Sequence, residues 1–171
     1  MPAGRSGRLS TIFLPPGESN MNESEADRIV RHLALRPQPE GGWFRETFRD
    51  SGRDPDRGGA SGGRAHSTAI YFLLREGEAS HWHRVDAVET WHFYRGAPLR
   101  LSLAGGPGGT SHHVLGHDVE TGQHPQIVVP RGVWQAARSL GAYTLVGCTV
   151  APGFEFSGFE LAPPGWSPAS G

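Results

Sequence analysis

The sequence predicts an all-β protein of double-sheet barrel or jelly-roll type, carrying one N-terminal helix. Three observations lead there. About ten short segments rich in apolar and aromatic residues follow one another from residue 42 to residue 161, with turn residues between them. The chain has 25 Gly and 14 Pro in 171 residues, which supplies many tight turns. Only one segment, near the start, repeats its apolar residues at helical spacing.

In chain order, residues 1–20 are rich in Gly, Ser and Pro and read as a disordered extension, with Met21 an alternative start. Residues 22–35 read as the helix. Ser24 and Asp27 form a start resembling a capping box, Ala26, Ile29, Val30 and Leu33 form the stripe that docks on a sheet, and Pro37 and Pro39 end it. Residues 42–49 are the first strand, with Trp43, Arg45, Thr47 and Arg49 on one face and Phe44, Glu46 and Phe48 on the other. A Gly/Asp/Arg/Ser loop covers residues 50–64. Residues 66–74 are apolar on both faces, as a central strand should be. Strands follow at 80–84, 87–95, 99–104, 112–115, 126–129, 134–139, 143–150 and 154–161, and a Pro-rich tail closes the chain. One domain over residues 22–168 accounts for the whole pattern, with 169–171 as a tail.

Composition removes several function classes. The formal net charge is −1, which gives no electrostatic case for nucleic acid or an anionic membrane. All 16 basic residues are arginine, so lysine Schiff-base chemistry is excluded. Cys148 is the single cysteine, so no intramolecular disulfide forms. Its apolar neighbours make it a buried small hydrophobe. No apolar stretch is long enough to span a bilayer, and Ile12-Phe13-Leu14 is too short for a signal peptide. A cytoplasmic protein with a small-molecule ligand is the expectation.

The chemistry concentrates in residues 80–96, S-H-W-H-R-V-D-A-V-E-T-W-H-F-Y-R-G. On a regular strand His81 and His83 point to one face and Trp82 to the other. Glu89, Trp91 and Phe93 share a face on the next strand, and Gln135, Ala137 and Ser139 on a later one. If these faces turn inward, two imidazoles, a carboxylate and an amide meet in a pocket with an aromatic floor. Imidazole and carboxylate are ligands for zinc, iron, manganese or nickel, and they are equally acid–base groups near neutral pH. Asp86 reads as a turn residue, His92 as outward with Thr90 and Tyr94, and His112, His113, His117 and His124 as surface histidines. Arg45, Glu46 and Tyr71 are further pocket candidates.

This stretch resembles the first motif of the cupin superfamily, roughly G-x5-H-x-H-x3-4-E-x6-G. The H-x-H is intact, six residues separate Glu89 from Gly96, and five rather than four separate His83 from Glu89. Residues 130–135, P-R-G-V-W-Q, are similar to the second motif, P-x-G-x-x-H, with Gln135 in place of its histidine. With P-E-G-G-W-F-R-E-T at 39–47, the resemblance narrows to the cupin-5 family over about residues 24–168. It implies a double-stranded β-helix, a homodimer and a site inside the barrel. His81, His83 and Glu89 would then be catalytic, or would ligate a divalent metal together with Gln135, a weaker neutral ligand. Trp91, Phe93, Tyr71 and Arg45 would line the pocket. The preferred activity is an isomerase or epimerase acting on a sugar-like or carbonyl-containing metabolite. A metal-dependent dioxygenase and a non-catalytic metabolite-binding protein are the alternatives.

Overall fold

A computed structural model describes residues 23–50, 63–106 and 109–168. The expected extension at 1–20, most of the 50–64 loop and the tail at 169–171 lie outside the described residues.

The helix α1 covers Glu25–His32. The Ser24 hydroxyl accepts from the Asp27 backbone N–H and donates to the Asp27 carboxylate, closing the expected cap. The helix stops earlier than the prolines would require. Ala34 takes φ 51°, and the Ala34 and Leu35 N–H groups turn back onto Arg31 and Val30 carbonyls. Pro37 then lies in a short strand that the sequence did not signal, β1 (Arg36–Pro37).

Ten further strands follow: β2 (Trp43–Arg49), β3 (Thr68–Arg75), β4 (Ala79–Val85), β5 (Val88–Gly96), β6 (Leu99–Gly106), β7 (Gly109–Leu115), β8 (Gln126–Val129), β9 (Trp134–Ser139), β10 (Tyr143–Ala151) and β11 (Phe159–Leu161). Residues 154–161, expected as one strand, split into a 3₁₀ turn at Phe156–Gly158 and β11. Six strands form one sheet in the order β1-β2-β3-β10-β5-β8, and five form the other in the order β11-β4-β9-β6-β7. All named strand pairs are antiparallel. Two such sheets closed over one core make the jelly roll that the strand pattern predicts.

The space between the sheets is packed by Phe72, Leu74, Trp91, Leu99, Leu101, Leu115, Val129 and Val146, all buried. Phe72 meets the Trp91 ring edge-on at 5.8 Å between centroids. Each such fully buried large side chain contributes roughly 2–3 kcal/mol. The outer face of β3 and β10 is covered by α1, whose Ala26, Ile29, Val30 and Leu33 pack on Leu73, Tyr143 and Leu145. This explains why β3 reads as apolar on both faces. Gly96, the closing glycine of the first motif, has φ 94°, and a Cβ there would stand 2.3 Å from the Tyr143 carbonyl oxygen. A side chain at this position would push β5 off β10. One end of the barrel is thus filled, and the other keeps a cavity bounded by β2, β3, β4, β5 and the 154–159 segment.

Candidate functional site

Two β-bulges decide what enters that cavity. On β4, Ser80 pairs with Ala137 and His83 with Gln135, so three steps on β4 match two on β9. The extra residue breaks the alternation that would have put His81 beside His83. Ser80 and His83 are both buried and face inward, whereas the His81 side chain is exposed. The expectation that two imidazoles converge is therefore corrected. The main chain of His81 is what serves the site: its N–H donates to the Glu40 carbonyl at 2.8 Å, and its own carbonyl accepts from His83 Nδ1 at 2.8 Å. A carbonyl only accepts, so the proton of neutral His83 sits on Nδ1 and Nε2 carries a bare lone pair.

The second bulge lies between Glu46 and Phe48 on β2. It breaks the predicted grouping of Arg49 with Trp43 and Arg45. Arg49 instead lines the cavity with Phe44 and Glu46. Arg45 and Tyr71 pair across the two strands, and Tyr71 packs with the helix-covered cluster and against Tyr94. Neither lines the cavity, so these two pocket expectations are also corrected. Glu46 does line it.

Glu89, Trp91 and Gln135 face inward as their alternation requires, and all are buried. Phe93 packs against the same core and stacks on His117; neither it nor Trp91 lines the cavity, so the expected aromatic floor is also corrected: both rings fill the core beside the cavity. The Gln135 amide is used at both ends: its Nε2 donates to the Glu89 carboxylate, and its Oε1 accepts from Trp91 Nε1 at 2.9 Å. Cys148, also buried, lines the same cavity. Trp134 turns the other way, where Arg84 and Trp166 cover it.

Glu40 is the residue that sequence reasoning missed. It belongs to P-E-G-G at 39–42, in a stretch that carries a family resemblance but no recognised ligand spacing. Gly41 has φ 106°, and a Cβ there would stand 2.1 Å from the Ala79 carbonyl oxygen. Two glycines in a row were the available signal, because only glycine lets this turn press against β4 and carry Glu40 inside. Glu40 is 6% exposed and lies 3.9 Å from His83 Nε2. Burial raises its pKa from 4.5 to about 7, against weaker opposing contacts from Gln38 and Ser80. Burial likewise raises Glu89 and lowers His83, with the Glu89 charge pulling His83 partly back. At neutral pH the centre therefore holds a neutral imidazole beside a carboxyl group poised between its two forms.

The cavity measures about 410 Å³. Phe44, Ile70, Val85, Val150, Phe154 and Phe159 give it apolar walls, and Phe159 lies 5.5 Å from the His83 ring. At the lip, Arg49 donates to both oxygens of Glu46.

The metal set implied by the motifs does not fit this arrangement. His81 is turned out and both ends of Gln135 are engaged. Among the described residues no group of three His, Cys, Asp or Glu side chains converges on an ion position.

A closed β-container with an acid–base cluster at the bottom of an apolar cavity is the class that fold and site define. The chain belongs to the cupin superfamily: the family model described as Cupin superfamily (DUF985) matches residues 27–162. A hypothetical protein from Leishmania major is 30% identical, with a TM-score of 0.71 over 80% of this chain and 86% of that one. A protein of Shewanella oneidensis is 35% identical, with a TM-score of 0.72 over 82% of this chain and 85% of that one. Oxalate decarboxylase from Bacillus subtilis, at 12% identity and a TM-score of 0.54, shares the fold over 73% of this chain and 29% of its own. Nothing matches among curated proteins. No helix among the described residues is long and apolar enough to cross a membrane.

Proposed function

We propose that this cupin is an isomerase or epimerase that moves a proton on a carbon next to a carbonyl, without a metal. The observation that carries this reading is the pairing of the bare Nε2 of His83 with the Glu40 carboxyl 3.9 Å away, at the bottom of an apolar cavity. His83 is the base: it takes the proton from carbon, and the electron pair moves into the carbon–carbon bond. Protonated Glu40 gives its proton to the carbonyl oxygen, so the enol leaves no uncompensated charge. His83 then returns the proton to the former carbonyl carbon while the adjacent hydroxyl gives its proton to Glu40, which completes isomerisation; protonation of the original carbon on its opposite face, after the enol turns relative to His83 and its hydroxyl proton goes back to Glu40, completes epimerisation. Glu89 stabilises the transient imidazolium, and Gln135 holds Glu89 in place.

Solvent exchange tests the reading. Small ketones, 2-oxo acids and ketoses are incubated with the protein in deuterated buffer and followed by NMR. Deuterium uptake above the buffer rate, lost in His83→Ala and reduced in Glu40→Gln, is the expected result. Uptake by none of them, or uptake that survives His83→Ala, would leave a binding protein.

A homodimer fits the same chain. Val88, Tyr94 and Val128 are exposed at 43%, 52% and 50% along β5 and β8, where their alternation puts them on the outer sheet face. Light scattering that gives a monomer mass at micromolar concentration would count against it.

A further inference from the structure

The lip of the cavity carries information about the ligand that the acid–base pair does not. Two arginines line this cavity. Arg49 is fully engaged, donating twice to Glu46 and once to the Phe154 carbonyl. Arg36 on β1 lies over the Phe44 ring, its guanidinium carbon 5.5 Å from the ring centre, and makes no hydrogen bond or ion pair with any described residue. Its donors are therefore available at the entrance, held by a ring that is itself part of the wall.

The other charges at the lip define what those donors can take. Glu46 is bound by Arg49, and Glu155 lies in the field of Arg49 and Arg64. The lip thus has one uncommitted cation, Arg36, beside Glu46, which Arg49 binds, and the exposed Glu155. A dianion such as a phosphate monoester would be repelled by Glu46 and Glu155 and would find one cation for two charges. A planar monocarboxylate matches the guanidinium fork and needs one cation.

Below Arg36 the wall is made of rings. Phe154 meets Phe156 edge-on at 5.1 Å and Phe159 at 5.9 Å, and Phe44, beneath Arg36, lines the same cavity. Such a wall rewards a flat apolar body packed against it. A cavity of about 410 Å³ is at the small end for ligand sites, which suits one ring and a short chain.

We infer that the cavity selects a monocarboxylate with a flat apolar body, holding the carboxylate on Arg36 and the body against Phe44, Phe154 and Phe159. The inference rests on the proton-transfer reading of the same cavity for where the reacting carbon lies, but binding alone tests it. Isothermal titration of the full chain compares phenylacetate, 2-phenylethanol and acetate. Phenylacetate is expected to bind about tenfold or more tighter than either of the others. Arg36→Gln should bring phenylacetate to within about twofold of 2-phenylethanol, with an unchanged circular dichroism spectrum and partial recovery in Arg36→Lys. Three results would each overturn the inference: no binding of any probe, equal binding of phenylacetate and 2-phenylethanol, or a preference unmoved by Arg36→Gln. Phenylpyruvate in deuterated buffer separates the two readings. Carboxylate preference without exchange above the buffer rate would sink the proton-transfer reading and leave the role of Arg36 standing. Exchange with a preference indifferent to Arg36 would do the reverse.

Discussion

Replacing Glu40 by Gln should make the protein more stable at pH 8 and leave it nearly unchanged at pH 4. Burial lifts the Glu40 pKa from 4.5 to about 7, so the folded state holds this proton more tightly than the unfolded chain does. Below pH 4.5 both states are protonated, and the contribution of Glu40 to stability is fully present. Between pH 4.5 and 7 the unfolded chain gives up the proton while the folded state keeps it, so stability falls; above pH 7 the loss is complete. A shift of roughly 2.5 pH units at 1.36 kcal/mol each is about 3 kcal/mol. Glutamine keeps the shape and cannot ionise, so it removes the loss. With a urea slope of about 2 kcal/mol/M, the midpoint of Glu40→Gln should exceed that of wild type by about 1.5 M at pH 8 and by almost nothing at pH 4. The contributions of Glu89 and His83 are common to both proteins and largely cancel in the difference. A difference between the two proteins that is constant from pH 4 to pH 8 would refute the placement of Glu40 as a buried, titrating group.

Three further outcomes follow from the same contacts. Gln135→Leu strands the Trp91 N–H and the Glu89 carboxylate together, and should cost about 2–4 kcal/mol in chemical denaturation; a cost under about 1 kcal/mol would mean the bridge is not formed. Gly41→Ala forces a Cβ onto the Ala79 carbonyl at φ 106°; it should cost about 2–4 kcal/mol, and by moving Glu40 it should flatten the pH dependence just described. His81→Ala keeps the carbonyl that holds His83 Nδ1, so solvent exchange should stay within about threefold of wild type while His83→Ala loses it; equal losses would return the His81 side chain to the site.

The barrel, most strand limits and the inward faces of β5 and β9 were legible from residue order alone. Alternation along a regular strand is a local property, and Glu89, Trp91, Gln135 and the outward His92 and Trp134 obey it. Ser24 likewise announced its cap, because capping involves only neighbours in the chain. Tertiary structure decided the rest. The bulge on β4 depends on the partner strand β9, so nothing within residues 80–84 reveals that His81 leaves the interior and Ser80 replaces it. The bulge on β2 turns Arg49 toward the cavity for the same reason. Glu40 enters the site from 43 residues before His83 because two glycines let its turn lie against β4, and its raised pKa exists only once the barrel has removed it from water. Local pattern fixes which way a side chain points along an undisturbed strand; only the closed sheets decide where strands are disturbed and which distant groups are buried together.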